Sequence, residues 1–250
     1  MAIKSFKRFE KKYILSREQY EELMLEVLKY MNEDKFCKNG KKYSIFNIYY
    51  DTENNDVIRH SIAKPYYKEK LRLRSYSIPK DLNDKVFLEL KKKINGIVNK
   101  RRVSLTLGQF YDFFNYGKRP ELSDYINNQV LNEIEYYLKN NKVQPNVYIS
   151  YERSAYFGKK DKNFRITFDS NILARRDKLS LEDGKCVYHI LDEDKYLMEV
   201  KILGAIPMWL VSIFSKLKIY NTHYSKYGNE FIMYSQNEEK QSIKEREIIC

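Results

Sequence analysis

The sequence predicts an antiparallel α+β fold in which many short strands close into a barrel. Eight or nine segments have the apolar or alternating pattern of strands, and helical patterns separate them into clusters. Tyrosine and phenylalanine, which favour strands, number 23 and 13 among 250 residues. Exposed strand edges are a hazard of sheets with many short strands, and closure into a barrel would remove them.

Patterns of apolar and turn residues predict nine strands and four helices along the chain. Strands are predicted at 6–15, 43–51, 68–76, 85–94, 98–103, 147–156, 164–169, 186–191 and 196–202. Helices are predicted after Ser16, which has Gln19 at capping-box spacing, and at 107–115, 124–140 and 207–218. Residues 51–65 are expected to form a loop. The domain is expected to span 1–235, and 236–250 form a polar C-terminal tail.

The composition excludes several classes of site. The net charge of +12 indicates a polyanionic partner, although solubility alone could explain it. The eight glycines are too dispersed for a glycine-rich phosphate loop. Three scattered cysteines indicate a reducing compartment, so a cytoplasmic location is expected. We expect neither a signal peptide nor a membrane span, because the most apolar run, 203–214, is about half the ~20 residues that would cross a bilayer.

Charged side chains share one face of the predicted strands. Successive side chains of a strand point to opposite faces, and six strands thereby place charges opposite an apolar face. The set has twelve basic and four acidic members: Arg8, Glu10, Lys12, Lys68, Lys70, Arg72, Arg74, Lys85, Glu89, Lys91, Lys93, Arg153, Arg165, Asp169, Glu199 and Lys201. A half-solvated sheet would explain any single strand. So many like charges on one surface repel unless an anion binds, which favours a basic channel for phosphates and a divalent metal.

The order of several motifs resembles the VTC-type polyphosphate polymerase domain, a branch of the triphosphate tunnel metalloenzymes in the CYTH-like superfamily. The motifs are FKRFEKKYIL, IYYDT, KEKLRLRSY, FLELKKKINGIVNKRR, YERSAYFG, FRITFD, LMEVKI and HYSKYG, which together extend over 6–228. The resemblance implies an antiparallel eight-stranded β-barrel, open at both ends as a tunnel, with helices packed outside.

The resemblance also implies roles for individual residues. The candidate catalytic residues are Lys12, Arg72, Arg74, Lys91, Arg153, Arg165 and Glu199. The candidate substrate-binding residues are Glu10, Lys70, Glu89, Lys100, Tyr151, Lys201, Ser225 and Lys226. Glu199 matches the metal-binding carboxylate, for Mn²⁺ or Mg²⁺, and Glu10 and Glu89 would support the metal or the neighbouring lysines. His223 stands where relatives often have lysine, which would weaken phosphate attraction there.

The function implied is transfer of the γ-phosphate of ATP to a growing polyphosphate chain. A triphosphatase or nucleoside triphosphate hydrolase of the same superfamily is the first alternative, and a non-catalytic polyanion-binding module is the second. The expected partners are ATP and polyphosphate or triphosphate, without DNA or RNA. A membrane-protein partner stays open, and the sequence does not predict the oligomeric state.

Overall fold

A computed structural model describes residues 9–95, 97–185 and 188–249, with the backbone alone for 38 and 239–249. The strands are β1 (Phe9–Leu15), β2 (Met31–Glu33), β3 (Tyr43–Asp51), β4 (Tyr67–Ser75), β5 (Lys85–Ile94), β6 (Ile97–Thr106), β7 (Gln144–Gly158), β8 (Arg165–Arg175), β9 (Tyr188–His189), β10 (Tyr196–Ile202) and β11 (Asn221–Thr222). The helices are α1 (Arg17–Tyr30), α2 (Asp56–Ile62), α3 (Leu107–Tyr116), α4 (Tyr125–Asn140), α5 (Met208–Lys216) and α6 (Lys226–Ile249). The sequence predicts strands over 6–15 and 186–191. The first residues of each, 6–8 with Arg8 among them and 186–187, lie outside the described residues.

The α+β class and the antiparallel sheet are confirmed, but the closed eight-stranded barrel is wrong. Within the described ranges eleven strands form one sheet in the order β11-β1-β10-β8-β7-β3-β4-β5-β6, with β2 paired to β7 and β9 to β8. Among the described residues the two ends of this path do not pair with each other. Side-chain alternation indicates the face that each strand buries. It does not indicate whether the outermost strands approach within hydrogen-bonding distance, so closure could not be predicted from it.

Helices cover the apolar face of the sheet, as the alternation predicts. Side chains of β4, β5 and β6 form one core with α3 and α4. Side chains of β1, β8 and β10 form a second core with α1 and α5. The charged face is concave, because Glu10 of β1 interacts electrostatically with Lys91 of β5 although several strands separate them in the sheet.

Two helices lie at one end of the concave face. Residues 51–65 are not simply a loop, because they contain α2; the Asp51 carboxylate accepts hydrogen bonds from the backbone N–H groups of Val57 and Ile58 at 2.8 and 2.9 Å. The first turn of α6 packs beside it, and the Tyr227 hydroxyl donates to Asp51 at 2.6 Å. These helices form a third core with β3, β7 and β8. The backbone of α6 continues to Ile249, and the division at 235 stays a prediction.

No helix in the described parts of the chain is both long and apolar enough to cross a bilayer.

Candidate phosphate-binding site

Strand register brings the predicted residues together on the concave face. Lys12 lies opposite Glu199 across β1 and β10. On the other side of the concavity, Glu89 of β5 lies between Arg72 of β4 and Arg102 of β6. Because residues directly opposite one another in an antiparallel sheet have neighbouring side chains, two carboxylates are each surrounded by cations.

Glu199 is the centre of the first cluster. One of its oxygens lies 3.2 Å from Lys12 Nζ and 3.9 Å from Lys226 Nζ. The other lies 3.7 Å from both Arg153 Nη2 and Lys201 Nζ. Burial alone would raise the pKa of Glu199, but these four cations hold it well below its usual range. The side chain is therefore a carboxylate at neutral pH.

Glu10 supplies a second carboxylate to this cluster. Its oxygens lie 3.7 Å from Lys12 Nζ and 3.5 Å from Lys201 Nζ, so both lysines are shared with Glu199. Burial and the charge of Glu199 raise the pKa of Glu10. The lysines Lys91, Lys201 and Lys12 lower it by more, so the net shift of the pKa is downward.

The donor set suits a divalent metal that is held jointly with a phosphate. Within the described residues no group of three or more His, Cys, Asp or Glu could hold a metal. Mg²⁺ needs fewer protein ligands, because it binds one or two carboxylates together with substrate phosphates and water. Glu199 and Glu10 fit that requirement for Mg²⁺ or Mn²⁺.

Asp169 joins the first cluster to α6. The Arg153 guanidinium donates to both of its oxygens, at 2.6 and 2.7 Å, and the buried Lys226 ammonium pairs with the same carboxylate. Asp169 is fully buried. This carboxylate therefore orients two of the cations that also face Glu199.

Glu89 is the centre of the second cluster. Arg72 Nε and Arg102 Nε donate to its two oxygens at 2.5 Å, and Lys100 Nζ lies at 2.7 Å. Burial would raise the pKa of Glu89, but the surrounding cations, with Arg74 among them, keep it far below its usual range. The alternation of Lys100 and Arg102 along β6 was the sequence signal that could have identified Arg102.

Neutral side chains also hold two guanidinium groups, of which Arg74 lies between the clusters and Arg72 belongs to the second. Arg74 is 5% exposed and donates to Asn47 Oδ1 at 2.8 Å and to the Tyr151 hydroxyl at 3.0 Å. Arg72 donates to the Tyr49 hydroxyl at 3.2 Å. Sequence reasoning missed Asn47 and Tyr49, because neither has a charge that would distinguish it from a core residue of β3.

Lysines lie directly opposite one another across three strands. Lys70 pairs with Lys91, and Lys91 pairs with Lys100. Burial, with Lys68 and Lys91 nearby, lowers the pKa of Lys70 to about 7. Burial also lowers the pKa of Lys100 to about 7, although Glu89 opposes the shift. Since like charges at opposed positions are destabilising, this lysine row is suited to an anion.

Two predicted residues lie outside these clusters. Arg165 has its guanidinium 3.7 Å from Asp34 and stacks over the Phe157 ring. Ser225 is exposed, and its hydroxyl accepts a hydrogen bond from Gly228 N at 3.2 Å, which caps the start of α6. Their roles in binding substrate stay predictions.

Comparison with known proteins gives one family. The sequence model of the family described as the VTC domain matches residues 7–234. A search of curated protein sequences finds no significant match.

Two solved structures are similar to this chain. A candidate adenylate cyclase from Bacillus halodurans is 12% identical, with a TM-score of 0.52, and the match covers 88% of this chain and 95% of that one. The PH1819 protein of Pyrococcus horikoshii is 14% identical, with a TM-score of 0.44 and coverage of 91% and 99%. The first likeness indicates a shared fold.

Proposed function

Because this chain belongs to the VTC domain family, we propose that it is a polyphosphate polymerase. In this reaction a terminal oxygen of the acceptor polyphosphate forms a bond to the γ-phosphorus of ATP. The bond between that phosphorus and the β–γ bridging oxygen breaks, and ADP leaves. The acceptor oxygen is already ionised, so the reaction needs no general base.

The observation that carries the proposal is the length of the basic surface. The concave-face residues of β4 from Lys68 to Arg74 extend over about 20 Å at ~3.3 Å per residue. Lys91 and Lys100 widen this surface across two further strands. A triphosphate is much shorter than the strand, so a site for hydrolysis alone would not use all of these cations. A polymer would contact them together.

The protein contributes position and charge. Phosphoryl transfer requires in-line placement of donor and acceptor and neutralisation of the phosphate oxygens. Lys12, Arg153 and Lys226 provide positive charge at one wall of the concavity, and Arg72 and Arg74 provide it at the other. Asp169, Asn47 and the tyrosine hydroxyls fix these groups before substrate binds.

A divalent metal fits this scheme at Glu199, with Glu10 beside it. When bound, Mg²⁺ or Mn²⁺ would add positive charge across the phosphate oxygens.

The test is to incubate the purified chain with ATP and Mn²⁺ or Mg²⁺ and to size the products on a gel. The expected result is a ladder of polyphosphate together with ADP. Release of ADP and orthophosphate without a ladder would support the triphosphatase alternative. ATP that stays intact under both metals, while polyphosphate binds, would support the non-catalytic module.

A further inference from the structure

We infer that the cavity beside the start of β4 binds the nucleoside part of the nucleotide whose phosphates occupy the basic face. The inference rests on the proposed function only in taking a nucleotide as the ligand. The cavity has a volume of about 410 Å³ and lies between α2, β4 and α4. This volume is within the range of small-molecule sites.

The cavity lies where β4 extends beyond its pairing with β3. Pairing between β3 and β4 ends at Tyr50 and Leu71, so the first residues of β4 extend past the last paired residue of β3. The chain turns into α2 there, and its residues Asp56 and His60 line the cavity opposite Tyr67. The His60 Nε2 atom hydrogen-bonds the Tyr67 carbonyl oxygen at 3.0 Å, which links α2 to this part of β4.

A buried hydroxyl in the wall lacks a hydrogen-bond partner. Tyr137 of α4 lines the cavity and is 3% exposed, and its hydroxyl has no partner among the described residues. Burial raises the pKa of Tyr137, so the phenol keeps its proton and can donate. Buried polar groups in native structures almost always have partners. A hydroxyl or ring nitrogen of a ligand would provide one.

The acidic groups of the wall favour the uncharged part of a nucleotide. The Asp56 and Glu69 carboxylates line the cavity. Asp56 accepts from the Thr52 hydroxyl at 2.7 Å, and Glu69 accepts from the Tyr67 hydroxyl and lies 3.4 Å from Lys92 Nζ. Carboxylates repel phosphate and accept hydrogen bonds from hydroxyl and amino groups. Ribose hydroxyls and base amino groups match this chemistry, and a free phosphate does not.

Lys68 connects the cavity to the basic face. It lines the cavity, and it shares its strand face with Lys70 and Arg72. Adjacent residues on one face of a strand are about 7 Å apart. A nucleoside in the cavity would therefore have its phosphates directed past Lys68 onto the lysine row.

The experiment compares ATP with inorganic tripolyphosphate by calorimetry on the full chain in Mg²⁺. In Tyr137→Phe the dissociation constant for ATP should rise about three- to tenfold, the effect of one lost hydrogen bond, while that for tripolyphosphate stays unchanged. The melting temperature should not fall, because the hydroxyl has no protein partner to lose. Tyr136→Phe, the exposed neighbour on α4, is the matched control and should change neither affinity.

A second variant, Val57→Trp, fills the cavity from α2. It should weaken the binding of ATP more than Tyr137→Phe does, and it should leave the binding of tripolyphosphate unchanged. Equal effects on both ligands, or no effect of either variant, would overturn the inference. The outcome is separate from that of the proposed function. If the chain makes no polymer but the variants still weaken the binding of ATP alone, the nucleoside site is supported and the proposed function is not. If the chain makes polymer but the variants do not weaken the binding of ATP alone, the proposed function is supported and the nucleoside site is not.

Discussion

Glu89 and Glu199 are both buried carboxylates surrounded by cations, but their contacts differ in length. The three cations at Glu89 lie at 2.5–2.7 Å. The four at Glu199 lie at 3.2–3.9 Å, and most of them exceed hydrogen-bonding distance. Glu89 is thus saturated by the protein, whereas Glu199 has oxygens that can still coordinate a metal. The comparison indicates that equal charge and burial do not give two carboxylates the same role.

The largest expected effect is on stability, at Glu89. In Glu89→Gln the cations Arg72, Lys100 and Arg102 lose their common counter-charge, and the free energy of unfolding should fall by about 3 kcal/mol, as for other broken buried pairs. Urea denaturation measures this. Glu133→Gln, whose carboxylate pairs at the surface with Lys92 and Arg101, should cost under about 1 kcal/mol. A loss at Glu89 no larger than at Glu133 would contradict the structural role.

The second effect is on turnover, at Glu199. Glu199→Gln keeps the shape but removes the charge that a hard cation needs, so we expect turnover to fall at least about a hundredfold, which is ~2.7 kcal/mol in the barrier. Stability should fall less than in Glu89→Gln, because Asp169 still pairs with Arg153 and Lys226. Steady-state rates across Mn²⁺ concentrations test this. Unchanged turnover would remove Glu199 from the mechanism.

The third effect concerns the cation between the two carboxylates. Arg74→Ala should weaken polyphosphate binding about tenfold at low salt, and the difference should shrink in high salt, where screening reduces charge–charge attraction. Arg74→Lys keeps the charge and should recover part of the affinity. Lys118→Ala, on an exposed segment away from the concave face, is the control. A salt-independent loss would mean that Arg74 acts through packing on Asn47 and Tyr151.

The smallest effect is a pH dependence from Lys70. Its pKa is lowered to about 7 in the free protein, and bound phosphate favours the ammonium. Binding of polyphosphate should therefore take up nearly one proton at pH 8–9, and affinity should decrease as the pH rises from 7 to 10. The lysine of the unfolded chain keeps its proton up to its ordinary pKa. The free energy of unfolding of the free protein therefore rises as the pH rises through this window.

Calorimetry in two buffers of different ionisation enthalpy measures this proton uptake. Lys70→Arg, which stays charged throughout, is the control and should remove the proton that Lys70 takes up, while Lys100, whose pKa is also about 7, still contributes its own. An uptake unchanged in that variant would assign the proton to another lysine, such as Lys100.

Much of the arrangement of the candidate site could be predicted because it depends on alternation within single strands. Lys70, Arg72 and Arg74 share a face by parity, and the structure places them on the concave side opposite the helix-covered core. Glu199 and Lys12 likewise lie on the charged faces of their strands. The helices after Ser16 and Pro207 were predicted from capping and proline preferences, which are also local.

The sequence by itself determined the α+β class, the antiparallel strands and the side of each strand that is charged, since side-chain direction follows from two-residue periodicity. Tertiary structure alone decided three other features. These are the open edge between β6 and β11, the short helix α2 capped by Asp51, and the difference between Glu89 and Glu199. The edge and the two carboxylates depend on distances between residues of different strands, and Asp51 of the α2 cap is held by Tyr227 from the far end of the chain. A periodic pattern contains no information about such distances.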